Sequence, residues 1–165
     1  MTTLEQFAAE CRTILQSEPG PSGRRKICMR LEGLLRDLEF VSSNLNAQTP
    51  ERQVLYEDPD LGFCILAHQY KGAKESPPHD HGPSWAIYGQ AEGQTQMTDW
   101  QQVESAPDSA TGKVRQVRTY TLTPGMAHLY NEGDVHSPRR SGPTRLIRIE
   151  GCNMEKVRRS TYQPA

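Results

Sequence analysis

The chain has 165 residues, with 19 Lys and Arg against 20 Asp and Glu, and 35 % of it is hydrophobic. So balanced a charge excludes the basic footprint of a nucleic-acid binder and gives no pull toward an anionic membrane. No apolar run approaches the roughly 18 residues of a membrane span, and the first fifteen residues lack the charged, apolar, small-residue order of a secretory signal, so a cytoplasmic protein of one domain is expected.

Leu4, Phe7, Ala8, Cys11, Ile14 and Leu15 form one apolar stripe at helical spacing, and Thr3 with Gln6 makes a capping box at its start. The stretch Pro19 to Gly23 stops this helix. A second stripe, Ile27, Leu31, Leu34, Leu35 and Leu38, predicts another helix from Arg25 to about Phe40. After the polar connector Ser42 to Pro50 the pattern changes to short β-branched or alternating runs between turn signals. The predicted strands are Gln53–Tyr56, Gly62–Tyr70, Trp85–Ala91, Gln94–Gln102, Lys113–Leu122, Met126–Tyr130, Val135–Ser137 and Thr144–Gly151. Strands at this spacing suggest a closed sandwich or barrel, a jelly roll among them. The expected class is mainly β (α+β), with residues 1–50 as a helical segment packed on a barrel of residues 51–165.

Leu, Ile, Val and Phe number only 29 of 165, so the core is thin, and a bound metal would help hold the folded state. Cys11, Cys28, Cys64 and Cys152 contain no C-x-x-C pair and are read as free thiols. All five histidines fall between positions 68 and 136. Within Pro77-Pro78-His79-Asp80-His81-Gly82, two imidazoles two residues apart on an extended strand share a face and can lean toward one ion. His136 lies downstream, in a run that opens at Gly125.

These two stretches resemble the paired motifs of the cupin superfamily. The first motif spaces H-x-H, then a glutamate, then a glycine. After His81 four residues lead to Ala86, where the glutamate would stand, and six more lead to Gly93. In the second, Gly125, Gly133 and His136 keep the spacing, while Asn131 and Arg140 replace the usual Pro and Asn. The resemblance implies a double-stranded β-helix (jelly-roll) barrel behind an N-terminal helical pair, with His79, His81 and His136 as metal ligands. Within the superfamily the glutamate-free set is similar to the thiol dioxygenases of cysteine and 3-mercaptopropionate, which also open with a leucine-rich helical segment. That likeness implies Fe(2+) as cofactor, and a small thiol substrate and dioxygen as partners, with sulfinate as product. Neutral imidazoles leave an ion its full double charge, which suits an anionic thiolate. Two other readings stay open: a metal-dependent cupin lyase, isomerase or hydrolase, or a cupin that binds a small effector without turnover. Monomer and homodimer are both open.

The family's S-x-H-x-Y run is replaced by Leu146-Ile147-Arg148-Ile149-Glu150, and its early carboxylate-binding arginine falls near Arg52-Gln53. If Ile147 and Ile149 pack on the helices, Arg148 and Glu150 look into the barrel. There Arg148 would clamp a substrate carboxylate, and Glu150 would orient it or handle a proton. An internal salt bridge or a solvent-facing polar side is the alternative. His128 is expected as a substrate or supporting contact near the metal, or else as a half-buried strand histidine. His68 is read as structural. Tyr70, Tyr88 and Tyr130 either project a phenol toward the metal or pack in the core, and Trp85 either walls the pocket or packs. The basic clusters Arg24-Arg25-Lys26, Arg139-Arg140 and Arg158-Arg159 lack interleaved aromatics and are read as solvated surface.

Overall fold

A computed structural model describes residues 1–104 and 111–165. Helix α1 (Leu4–Ser17) begins on the expected box: Gln6 N–H donates to Thr3 Oγ1 and Thr3 N–H to Gln6 Oε1. Phe7, Ala8, Cys11 and Leu15 are its buried face. The second helix differs from expectation. Helix α2 (Pro21–Leu34) starts inside the Pro-Gly stretch, because Pro21 occupies its first turn, where a missing N–H costs nothing. It ends early because Asp37 caps a separate helix, α3 (Leu38–Asn44), accepting from Glu39 N–H at 3.0 Å and Phe40 N–H at 3.2 Å. Leu38, assigned to the stripe, is therefore 85 % exposed, and Phe40 is buried in its place.

Among the described residues ten strands follow: β1 (Gln53–Glu57), β2 (Cys64–Tyr70), β3 (Lys74–Glu75), β4 (Ala86–Glu92), β5 (Thr95–Glu104), β6 (Gly112–Leu122), β7 (Ala127–Tyr130), β8 (Val135–Arg140), β9 (Thr144–Glu150) and β10 (Tyr162–Pro164). The eight expected runs are present with ends shifted by up to three residues. The pattern missed β3 and β10, which are too short to show a period. Two five-stranded sheets form, ordered β1-β2-β9-β4-β7 and β10-β6-β5-β8-β3. They make the expected jelly roll, with α1 and α2 packed as a pair on the first sheet.

The alternation of that first sheet decides what faces the site. Ile65, Ala67, Ile87, Ala91, Ile147 and Ile149 join Phe7, Cys11, Ile27 and Leu31 in one core cluster under the helices. Cys64, Leu66, His68 and Tyr70 of β2, Ala86 and Tyr88 of β4, and Leu146, Arg148 and Glu150 of β9 take the opposite face, into the barrel. Two glycines are fixed by close approach. A Cβ on Gly89 would meet Leu31 Cδ2 at 2.7 Å and the Ile147 carbonyl at 2.9 Å, so the α2 contact on β4 depends on its absence. Gly93 turns β4 into β5 at φ +71°, and a Cβ there would lie 2.3 Å from the Pro143 carbonyl.

No helix of the described residues is long and apolar enough to cross a membrane.

A candidate metal centre inside the barrel

His79 and His81 lie in the loop before β4, outside any named strand, and His136 lies on β8. Two backbone bonds join loop and strand: His79 N–H donates to the His136 carbonyl at 3.0 Å, and His136 N–H to the His79 carbonyl at 2.9 Å. Residues 57 positions apart are thereby held opposite each other. The residue between the two loop histidines, Asp80, is buried. Its carboxylate accepts from Gly82 N–H at 2.9 Å and from the Tyr162 hydroxyl of β10 at 2.8 Å. The C-terminal strand thus fastens the metal loop.

The three imidazoles converge, with one ligand atom from each within 4.8 Å of the others and His81 Nε2 3.2 Å from His136 Nε2. His79 Nδ1 and His136 Nδ1 each lie 2.8 Å from a backbone carbonyl, those of Pro77 and Asp134. Donation there places the proton on Nδ1 and turns a bare Nε2 lone pair inward. Burial pushes the His79 imidazolium down to about 4. It also lowers His81 and His136, with the neighbouring imidazoles acting in the same direction. Neutral rings, two of them oriented by backbone carbonyls and the third, His81, with its buried Nδ1 unpartnered, are a donor set that fits a divalent transition metal. The three histidines form a metal-binding site, and the position of the usual glutamate is the methyl of Ala86.

The Tyr88 hydroxyl sits beside all three nitrogens, 3.2 Å from His81 Nε2 and His136 Nε2 and 3.5 Å from His79 Nε2. Of the three tyrosines considered from the sequence, it is the one whose phenol reaches the centre. Burial raises its pKa, so it holds its proton. The Arg148 guanidinium carbon lies 4.1 Å from the centre of its ring. Arg148 Nη1 is 3.7 Å from Glu150 Oε1, and Arg52 Nη2 is 3.8 Å from Glu150 Oε2. The register expected from Ile147 and Ile149 therefore holds, and Arg52 does reach the interior.

Other expectations fare differently. His128 does not touch the histidine nitrogens: the Tyr130 ring lies between, its centroid 4.7 Å from that of His128 and 3.9 Å from that of His136. Trp85 packs with the helices, under the Arg24 guanidinium. His68 is buried, with Nδ1 2.9 Å from the Glu51 carbonyl and Nε2 unpartnered.

Two of the basic clusters need correction. Arg24 is buried because its guanidinium is bidentate to Glu132 at 2.6 and 2.7 Å, tying α2 to the turn before His136. Arg140 is 2 % exposed, since on β8 the residues His136, Pro138 and Arg140 point inward together. Its stacking partner is Tyr70, 4.3 Å from guanidinium carbon to ring centre. The signal for Arg140 was the two-residue alternation counted on from His136; the adjacent Arg139, which is exposed, hid it.

No family model and no curated protein matches this chain. Solved structures do. An uncharacterised conserved protein with a double-stranded β-helix domain from Klebsiella pneumoniae superposes with a TM-score of 0.50 at 13 % identity, covering 74 % of this chain and 88 % of that one. A cupin superfamily protein from Desulfitobacterium hafniense gives 0.47 at 10 % identity, over 66 % and 84 % of the two chains. A cupin-2 domain protein from Shewanella frigidimarina gives 0.43 at 19 % identity, over 73 % and 96 %. The likeness at these identities is one of fold: a cupin fold, here enclosing a three-histidine metal site.

Proposed function

We propose that this cupin-fold chain is a mononuclear non-haem iron dioxygenase that converts a small carboxylate-bearing thiol to its sulfinate, both atoms of dioxygen ending on sulfur. One observation carries the reading: three neutral imidazoles without a carboxylate converge beside a buried guanidinium. A thiolate and a carboxylate, the two anionic ends of such a substrate, each meet a positive partner there: the ion on the imidazoles, and Arg148, which has Glu150 at 3.7 Å but an Nε–H still free. Ferrous iron held by His79, His81 and His136 supplies the activation of dioxygen and sulfur.

The chain's own residues do the rest. Arg148 presents an unpartnered Nε–H to the barrel and clamps the carboxylate, a bidentate contact that fixes orientation as well as charge. Glu150 steadies Arg148 from 3.7 Å, and its second oxygen, which has no hydrogen-bond donor, accepts the proton of the incoming thiol. Tyr88 keeps its hydroxyl against the three nitrogens and offers a hydrogen bond to the group that binds beside them. Ala86, Met97 and Leu122 line the wall around Tyr88 and exclude water. His128 acts on Tyr130, a positioning contact.

The test is anaerobic titration of the ferrous protein with cysteine, 3-mercaptopropionate and mercaptosuccinate, with nitric oxide as an EPR probe, followed by oxygen-electrode traces. A thiol-dependent change in the nitrosyl signal, lost in His136→Ala, supports the reading. Iron retained with no change from any thiol overturns it.

A further inference from the structure

Arg140 is buried and alone. Its Nε and Nη2 have no hydrogen-bond partner, and no carboxylate pairs with it among the described residues. The Tyr70 ring gives it a face to stack on but no acceptor. Thr144, opposite Tyr70 in the sheet, is buried with its hydroxyl equally unpartnered. Nearer the metal, Arg148 and Arg52 share one carboxylate, that of Glu150. Arg52 pairs besides with Glu155, Nη1 to Oε1 at 3.0 Å, so among the described residues Arg140 is the inward guanidinium with no acid of its own. The field is felt around it: the charges of Arg148, Arg52 and Arg140 all help to keep His68 neutral, after burial. A folded chain does not gain from an isolated buried charge, whose desolvation nothing repays. Such a group is the mark of an anion site.

We infer that Arg140 and Arg148 form a two-point anion anchor inside the barrel, and that the substrate is a small thiol bearing two carboxylates. This rests on the dioxygenase reading for the sulfur end alone; the two anchors stand on the guanidiniums. A monocarboxylate can meet only one of the two guanidiniums and leaves the other without an anion, whereas a dicarboxylate meets both, with the Thr144 hydroxyl free to donate to the carboxylate at Arg140. The selectivity comes from the partner left unsatisfied by the smaller acid.

The experiment uses sulfur-free probes on the iron-loaded full chain under argon, so that binding is separated from chemistry. Calorimetry with succinate and propionate should give at least about tenfold tighter binding of succinate, a charge-assisted contact's worth. Arg140→Gln should remove that preference, and Arg140→Lys should restore part of it. Equal affinity for succinate and propionate in the unsubstituted protein overturns the anchor, whatever the variants do. So does a preference that survives Arg140→Gln, or succinate bound no better than inorganic sulfate. Oxygen uptake with mercaptosuccinate is the separate arm. Succinate selectivity without uptake of oxygen leaves the anchor standing and overturns the dioxygenase reading. Rapid uptake with no carboxylate preference does the reverse.

Discussion

Replacing Arg140 with methionine separates a residue kept for binding from one kept for stability. The residue is 2 % exposed, and its guanidinium stacks on Tyr70 and leaves Nε and Nη2 unsatisfied. Methionine retains the apolar stem and fills much of the volume while removing the charge. Desolvating an unpaired ion costs several kcal/mol. The stacking on Tyr70 returns about 0.5–2 kcal/mol of that. In a buffer free of carboxylates Arg140→Met should therefore raise stability by about 1–3 kcal/mol, in line with buried ions replaced by apolar residues. For a chain of this size that is an increase of roughly 2–10 °C in Tm. Urea denaturation and calorimetry read it directly. With succinate at about a hundred times its Kd, the unsubstituted protein should gain some 2.7 kcal/mol and the variant much less. An Arg140→Met protein less stable than its parent in ligand-free buffer would refute the reasoning, because it would mean that the guanidinium is already satisfied.

Three further outcomes are expected. His68, His79, His81 and His136 are all held below the ordinary histidine range by burial, so below about pH 6.5 the unfolded chain takes up protons that the folded one refuses. Stability of the metal-free protein should then fall from about pH 6.5 toward pH 4, by roughly 1.4 kcal/mol per unit for each histidine; urea midpoints independent of pH would contradict this. Tyr162→Phe removes the 2.8 Å bond to Asp80, and metal affinity measured against a competing chelator should drop about tenfold, as for other losses of support behind a ligand. Gly89→Ala pushes a methyl into Leu31 and the Ile147 carbonyl and should cost about 1–3 kcal/mol by overpacking; an unchanged urea midpoint would show that α2 does not press on β4.

Much of the site was legible because strands have a strict two-residue period. Ile147 and Ile149 are apolar, Arg148 and Glu150 are not, and once helices cover one face the other must look inward. Motif spacing likewise marked His79, His81 and His136, since two turns and a strand end need glycines and ligands at set intervals. The same logic failed at Arg24, where a charge beside Arg25 and Lys26 looks solvated until Glu132 meets it from 108 residues away.

The sequence by itself determined the capped first helix and the order of the main strands, which follow from local periodicity and turn signals; the three histidines follow from the resemblance of two stretches to the cupin motifs, and alternation alone left β9 two readings. Only the tertiary structure decided that Asp37 splits the second helical stripe, that Tyr88 is the phenol at the three nitrogens, that Tyr130 stands between His128 and His136, and that Arg140 meets no acid among the described residues. Each of those depends on which distant segments share a space, and pairing between remote strands sets that.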